Sequence, residues 1–145
     1  MNPNSTTKEI AKSGVFKIVE MLKVGENDVD ALIDVSKVLS KKYGDKSILT
    51  KSTIEKYFNR SGSISFIAIY QHEIIGYIIG IPIEKLSREP WARKDVNFGK
   101  SNTLYTYAFV IKETFFGNGY ARILKKVFLS KILLNSKNRI NINIM

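Results

Sequence analysis

Hydrophobic and polar positions change their spacing several times along the chain, and each change predicts an element. Residues 1–13 are polar and predict a flexible arm ahead of a single domain over 14–145. From Phe16 to Val24 apolar and charged residues mix, as in a half-buried first strand. Gly25-Glu26-Asn27-Asp28 predicts a turn and an N-cap, because a short Asn or Asp side chain can accept from free backbone N–H groups. Val29, Leu32, Ile33, Val38 and Leu39 then fall close to one helical stripe, with Lys41 and Lys42 in the last turn and Gly44 as the stop. A second helix is expected from Ser52, where Ser52 and Glu55 have capping-box spacing, carrying Ile54, Tyr57 and Phe58 inward.

The period changes at Ser63. Ser63–Tyr70 and Glu73–Ile83 are rich in isoleucine and aromatics and are separated by Gln71-His72, the pattern of a β-hairpin. Pro82 should close the second strand or lie at its edge. Glu84 to Ser101 reads as a long connecting loop, and Thr103 to Ile111 as a third strong strand. Gly117–Asn135 predicts a helix burying Ile123, Leu124, Val127, Phe128 and Ile132, and Arg139–Met145 a short final strand. Strand, helix and strand in succession demand a crossover, so the last pair should be parallel. The expected class is α/β, a mixed, mostly antiparallel sheet with flanking helices in the order β-α-α-β-β-β-α-β.

Composition narrows the class. Of 145 residues 44% are apolar and 25% charged, a globular balance that argues against disorder. Cysteine is absent, which removes disulfides, thiolate nucleophiles and cysteine-based metal sites. No secretory signal or membrane-spanning run is seen, so a soluble cytoplasmic protein without a membrane partner is expected. The formal charge of +10 admits a nucleic-acid or membrane-surface binder, a merely lysine-rich surface, or a site for an anionic cofactor. Its distribution bears on the choice: after Glu113 no acidic side chain follows, while Arg122, Lys125, Lys126, Lys131, Lys137 and Arg139 do.

Only Phe116-Gly117-Asn118-Gly119-Tyr120-Ala121 carries recognisable chemistry, between a strand and an amphipathic helix. Its glycines allow a tight turn and close ligand approach. The first N–H groups of a helix lack internal partners and the dipole favours negative charge, so a pyrophosphate suits the place. Arg122, Lys125 and Lys126 add positive charge. A G-x-G alone equally fits a purely structural helix start.

Two stretches together resemble the GNAT N-acyltransferase superfamily. Phe66–Gly80, with Gly76 after two aliphatics, is similar to that family's central hairpin, and Tyr107–Ala121 to the strand and loop that hold coenzyme A. Gly119 and Ala121 match the last two fixed positions of the loop, Gln/Arg-x-x-Gly-x-Gly/Ala. The resemblance implies acetyl-CoA as cosubstrate, no metal, and direct attack by an amine without a covalent enzyme intermediate. It implies contacts from the amides of Val110 and Ile111 and from Phe116, Gly117, Asn118, Gly119, Tyr120, Ala121 and Arg122. Phe116 stands where the family has Gln or Arg, and a further helix and two strands, with a tyrosine that often serves as general acid, would lie beyond Met145. The sequence therefore also fits a C-terminally truncated domain, and an exposed last strand would invite a homodimer.

Candidate catalytic residues are Glu113, the carboxylate nearest the motif, and Tyr105 and Tyr107, which share one strand face and could line an acceptor groove. Each has a plainer role open to it, Glu113 as a surface charge and the tyrosines as packing. His72 reads as a turn residue; Tyr77 and Trp91 could contact an acceptor, with a core or loop anchor as the plainer role of each. Competing functions are a catalytically degenerate acyl-CoA-binding or regulatory module and a basic nucleic-acid-binding domain. The latter is disfavoured because the aromatics lie in strands at buried-looking spacing. The acceptor, small molecule or protein, is not encoded in any motif.

Overall fold

The structure is a computed structural model that describes residues 1–135 and 143–144. Six strands form one sheet in sequence order: β1 (Thr6–Ser13), β2 (Phe16–Lys23), β3 (Ile64–Tyr70), β4 (Glu73–Pro82), β5 (Thr103–Ile111) and β6 (Asn143–Ile144). Neighbours are antiparallel up to β5, and β6 runs parallel to β5 as the crossover demanded. The rest of the expected last strand lies outside the described residues. Helices α1 (Glu26–Tyr43) and α2 (Lys51–Phe58) cover one face and α4 (Tyr120–Asn135) the other. The stretch expected as a loop after β4 contains a 3-10 turn (Ile83–Leu86) and the short helix α3 (Pro90–Arg93).

Both hairpins follow from their turn residues. Gln71 and His72 have φ of 47° and 69°, the left-handed pair that a tight two-residue connection requires. Gly14 (φ 60°) opens the two-residue turn between Ser13 and Phe16. The expected N-terminal arm is thus corrected: residues 6–13 form an edge strand. Its polar side faces solvent, which hid the pattern, while Ile10 and Ala11 pack on the α4 side of the sheet. Residues before it are also engaged, since the carbonyls of Asn2 and Pro3 accept the N–H groups of Glu26 and Asn27. The N-cap of α1 is Gly25 without a side-chain bond, so main chain from the N-terminal segment does what an Asn or Asp side chain was expected to do.

The second helix starts one residue earlier than expected, and its capping box is Thr50 with Thr53, not Ser52 with Glu55. Asn59 fastens its far end by accepting from Val24 N–H at 2.7 Å and donating to the Val24 carbonyl at 3.2 Å. Two apolar layers result. Leu32, Ile54, Ile67, Tyr77 and Ile81 fill the α1–α2 side, and Phe66, Ile78, Leu124 and Phe128 the α4 side. Each full burial of such a side chain contributes about 1.5–3 kcal/mol. Leu124, Phe128 and Ile132 are buried as expected, whereas Ile123 is 41% exposed. It lies one position off the buried stripe, which runs at spacings of four.

Candidate functional site

One edge of β5 is open over most of its length. Only Thr103 and Leu104 pair with β6, so from Tyr105 to Ile111 that edge meets no strand among the described residues. The opposite edge pairs with β4 in a broken register: Ile79 faces Ala108 while Gly80 faces Thr106, leaving Tyr107 as the extra residue of a bulge. A bulge re-aims side chains. Tyr107 stacks on Tyr57 of α2 at 4.2 Å, and Ala108 joins the same α1–α2 packing. Near the C-terminal end of β5 the strands approach so closely that a Cβ on Gly76 would sit 2.6 Å from the Val110 carbonyl and 2.3 Å from Ile111 Cδ1.

The open edge leads into a groove of about 360 Å³. Val38, Leu39, Lys41 and Lys42 of α1 form one wall, Phe109, Val110 and Ile111 another, and Glu113, Phe116 and Ala121 its end. Gly117 and Gly119 there have φ of 84° and 79°, yet a Cβ on either would meet nothing within 4 Å. Backbone conformation therefore requires glycine at both, and the space above the loop is open. The loop delivers the chain into α4, whose first-turn N–H groups have no partner within the helix. Asn118, Ala121, Arg122, Lys125 and Lys126 are exposed, and Phe116 is 61% exposed. Tyr120 turns inward: its ring stacks on Phe16 at 4.4 Å, beside Tyr70 and Phe115, so only its main chain is free to meet a ligand in the loop.

Beyond Leu39 and Phe109 lies a larger pocket of about 570 Å³ between α1, α2 and β5, lined by Tyr43, Lys46, Ile48, Leu49, Thr53, Tyr77, Tyr105, Tyr107 and neighbours. The buried hydroxyl of Ser36 accepts from Leu49 N–H at 2.8 Å, which holds the wall carried by residues 46–49. Tyr77 is fully buried, and its hydroxyl has no hydrogen-bond partner among the described residues. Burial pushes its phenol well above the ordinary tyrosine range. Burial, reinforced by the neighbouring Tyr57 hydroxyl, does the same to Tyr107. Both phenols therefore stay protonated at neutral pH and are weaker acids than an ordinary tyrosine. Tyr105 packs against Trp91 at 4.9 Å. No Asp, Glu or His is among the residues lining this pocket.

The candidates read from sequence thus fall into two groups. Val110, Ile111, Phe116 and Ala121 line the groove, with Gly117, Asn118, Gly119, Tyr120 and Arg122 at its end, while Tyr105 and Tyr107 line the pocket. Glu113 lies at the groove's rim and its carboxylate is ion-paired with exposed Lys41. His72 sits exposed in the hairpin turn, as expected. Sequence reasoning missed the last turns of α1 as a wall, and it gave Tyr77 an acceptor contact only as the lesser of two roles. A tyrosine amid isoleucines in a central strand was the available signal, since its polar tip must end somewhere. Among the described residues no cluster of His, Asp or Glu could hold a metal ion, and no helix is long and apolar enough to cross a membrane.

No family model and no curated protein matches the sequence significantly. Solved structures do resemble the fold. The aminoglycoside N-acetyltransferase AAC(6')-Iy in complex with CoA aligns with a TM-score of 0.60 at 14% identity, covering 94% of this chain and 80% of that one. An aminoglycoside acetyltransferase from an uncultured soil metagenomic sample gives 0.56 at 16%, covering 92% and 78%. The ribosomal-protein-alanine N-acetyltransferase of Brucella melitensis biovar Abortus 2308 gives 0.57 at 11%, covering 90% and 79%. At such identities the likeness is one of architecture, and the architecture of this chain is the GNAT-like acetyltransferase fold.

Proposed function

We propose that this protein is an acetyl-CoA-dependent N-acetyltransferase that acetylates a primary amine by direct attack. The observation that carries the reading is the open edge of β5, which runs from a tyrosine-lined pocket to a glycine loop at the start of a helix. A pantetheine arm carries two amides and suits an unpaired strand edge, and a pyrophosphate suits the amides of the loop and first helical turn. Structural neighbours crystallised with CoA or with a CoA bisubstrate analogue support the choice of cofactor.

When bound, acetyl-CoA supplies a thioester whose acyl carbon is open to attack. The N–H of Ile111 would polarise its carbonyl. Lys112 N–H donates to the Ile75 carbonyl of β4, and alternation then sends the Ile111 N–H to the open edge and that of Val110 back to β4. Holding both reactants in place would lower the barrier without any covalent intermediate. In the transfer a C–N bond forms, the C–S bond breaks, and the electron pair leaves on sulfur. The Tyr105 hydroxyl would return a proton to that thiolate, since burial makes the Tyr107 phenol a poor acid, and the ammonium proton of the acceptor would leave through water, because no carboxylate lines the pocket. That last fact also favours a second reading, a module that binds acyl-CoA without turning it over.

Calorimetric titration with acetyl-CoA, with desulfo-CoA and ATP as controls, tests the cofactor. Micromolar affinity for acetyl-CoA and desulfo-CoA, lost in Gly119→Trp, is expected. Absence of binding by folded protein sinks the reading. Thiol release in the presence of an amine panel then separates enzyme from binding module.

A further inference from the structure

We infer that the acceptor is a primary amine with an apolar body and an anionic group, and not a polycation. The inference rests on the reading of the β5 groove as the cofactor site and concerns the pocket beside it. Three observations carry it. The pocket wall is mainly aromatic and aliphatic, with the hydroxyls of Ser47, Thr53 and Thr106 among its lining residues, and its one charged residue is the cation Lys46, which is exposed and forms no ion pair among the described residues. Tyr77 also lines it, and its buried, unpartnered hydroxyl is a polar atom that a small shift of the wall would bring to a ligand. Thirdly, the surface that continues from the pocket is basic.

That continuity runs along α2. Thr53 lines the pocket, and Tyr57, one turn further on, stacks on Tyr107 and forms the near wall of a second, open groove of about 440 Å³. Lys56, Arg60, Lys85 and Arg88 line this groove, and none of them has a carboxylate partner among the described residues. Its two carboxylates are Glu55, which accepts a hydrogen bond from Asn59 at 3.1 Å, and Glu89. Cations outnumber carboxylates across pocket and groove together. A polyamine or a multiply aminated sugar would place several ammonium groups in this positive field, whereas a carboxylate or phosphate on the acceptor would complement it. A single amine can still enter, since it reacts as the neutral form, which a positive surrounding favours.

The experiment measures acceptor binding to the full chain by calorimetry, with and without saturating desulfo-CoA, an analogue without the thiol that cannot react. The probes are phenylalanine, its neutral amide, tyramine O-phosphate and spermidine. Phenylalanine reports a carboxylate and tyramine O-phosphate a phosphate on a similar body. We expect the better of these two to bind roughly tenfold or more tightly than the amide or spermidine, and the preference to shrink in both Arg88→Glu and Lys85→Glu. Equal or tighter binding of spermidine or the amide overturns the proposal. So does failure of both anionic amines to bind, or a preference that survives both reversals. Loss of desulfo-CoA affinity would show separately, as failure of the cofactor reading with the charge preference still measurable.

Discussion

Tyr77 lies between Gly76 and Ile78 in the middle of the sheet, with its ring edge-on to Phe58 and its hydroxyl unsatisfied at the pocket wall. A buried hydroxyl without a partner costs about 1–3 kcal/mol, and a phenylalanine of the same shape removes that cost. Tyr77→Phe should therefore stabilise the unliganded protein by about 1 kcal/mol in urea denaturation, and a loss of acceptor affinity beside it would put the hydroxyl within reach of the ligand. A hydroxyl serving only packing would leave ligand affinity unchanged. The same group gives a pH signature. Tyr77 and Tyr107 are held above their ordinary value of 10.0, so folded protein keeps protons that unfolded protein releases. Their contribution is present below pH 10 and is lost as pH rises further. Stability should fall from about pH 10 upward, and Tyr77→Phe should flatten that fall; an unchanged slope would contradict the buried placement. Lys112, raised by Glu73 and Asp34, declines in the same direction and stays in both proteins, so the difference isolates the phenol.

At the scale of elements, α2 offers a direct comparison of two caps. Thr50 accepts from Thr53 N–H and donors are exchanged both ways, whereas Ser52 makes no side-chain hydrogen bond among the described residues. Thr50→Ala should cost about 1 kcal/mol and Ser52→Ala under roughly 0.5 kcal/mol, read from denaturant midpoints. Equal costs would refute the observed start of α2. Why the wrong pair looked right is instructive: T-K-S-T-I-E contains two overlapping capping frames, and only tertiary context selects one. Strong, two-sided signals were legible. β5 has the expected bounds, and the Gln71-His72 turn and the buried stripe of α4 follow from apolar period alone. Edge strand β1 was not legible, because its one half-buried pair, Ile10 and Ala11, is interrupted by a bulge that breaks the alternation. In the candidate site the glycine loop was readable from its local motif. The pocket was not, since Leu39, Tyr77 and Tyr107 meet only through pairing and helix packing. Removing residues 1–12 should lower the melting temperature by several degrees, because α1 then loses the carbonyls of Asn2 and Pro3 and the sheet its edge.

Among the readings that the charge of +10 admits across the whole molecule, coenzyme A and nucleic acid are separated by the placement of the cations. Arg122, Lys125 and Lys126 stand exposed on the first turns of α4, next to the glycine loop and at the end of the β5 groove. Positive charge in the first helical turn opposes the dipole, so Arg122 does not help the helix and, with Lys125 and Lys126 one turn on, is explained better by an anion bound there. Reversing two of them, Arg122→Glu with Lys126→Glu, should improve or leave intact the stability of the unliganded protein. It should weaken desulfo-CoA binding by roughly tenfold at low salt, an effect that shrinks near 0.5 M salt as screening grows. Nucleic acid would behave otherwise. Its binding would draw on the cations of the whole surface, fall along a steep log–log slope with salt, and lose only about one unit of slope per reversed charge. Titrating both ligands against the double variant therefore decides what the basic surface is for. A selective loss of coenzyme binding supports the site at the start of α4, and a parallel loss of both would move the function to the surface as a whole.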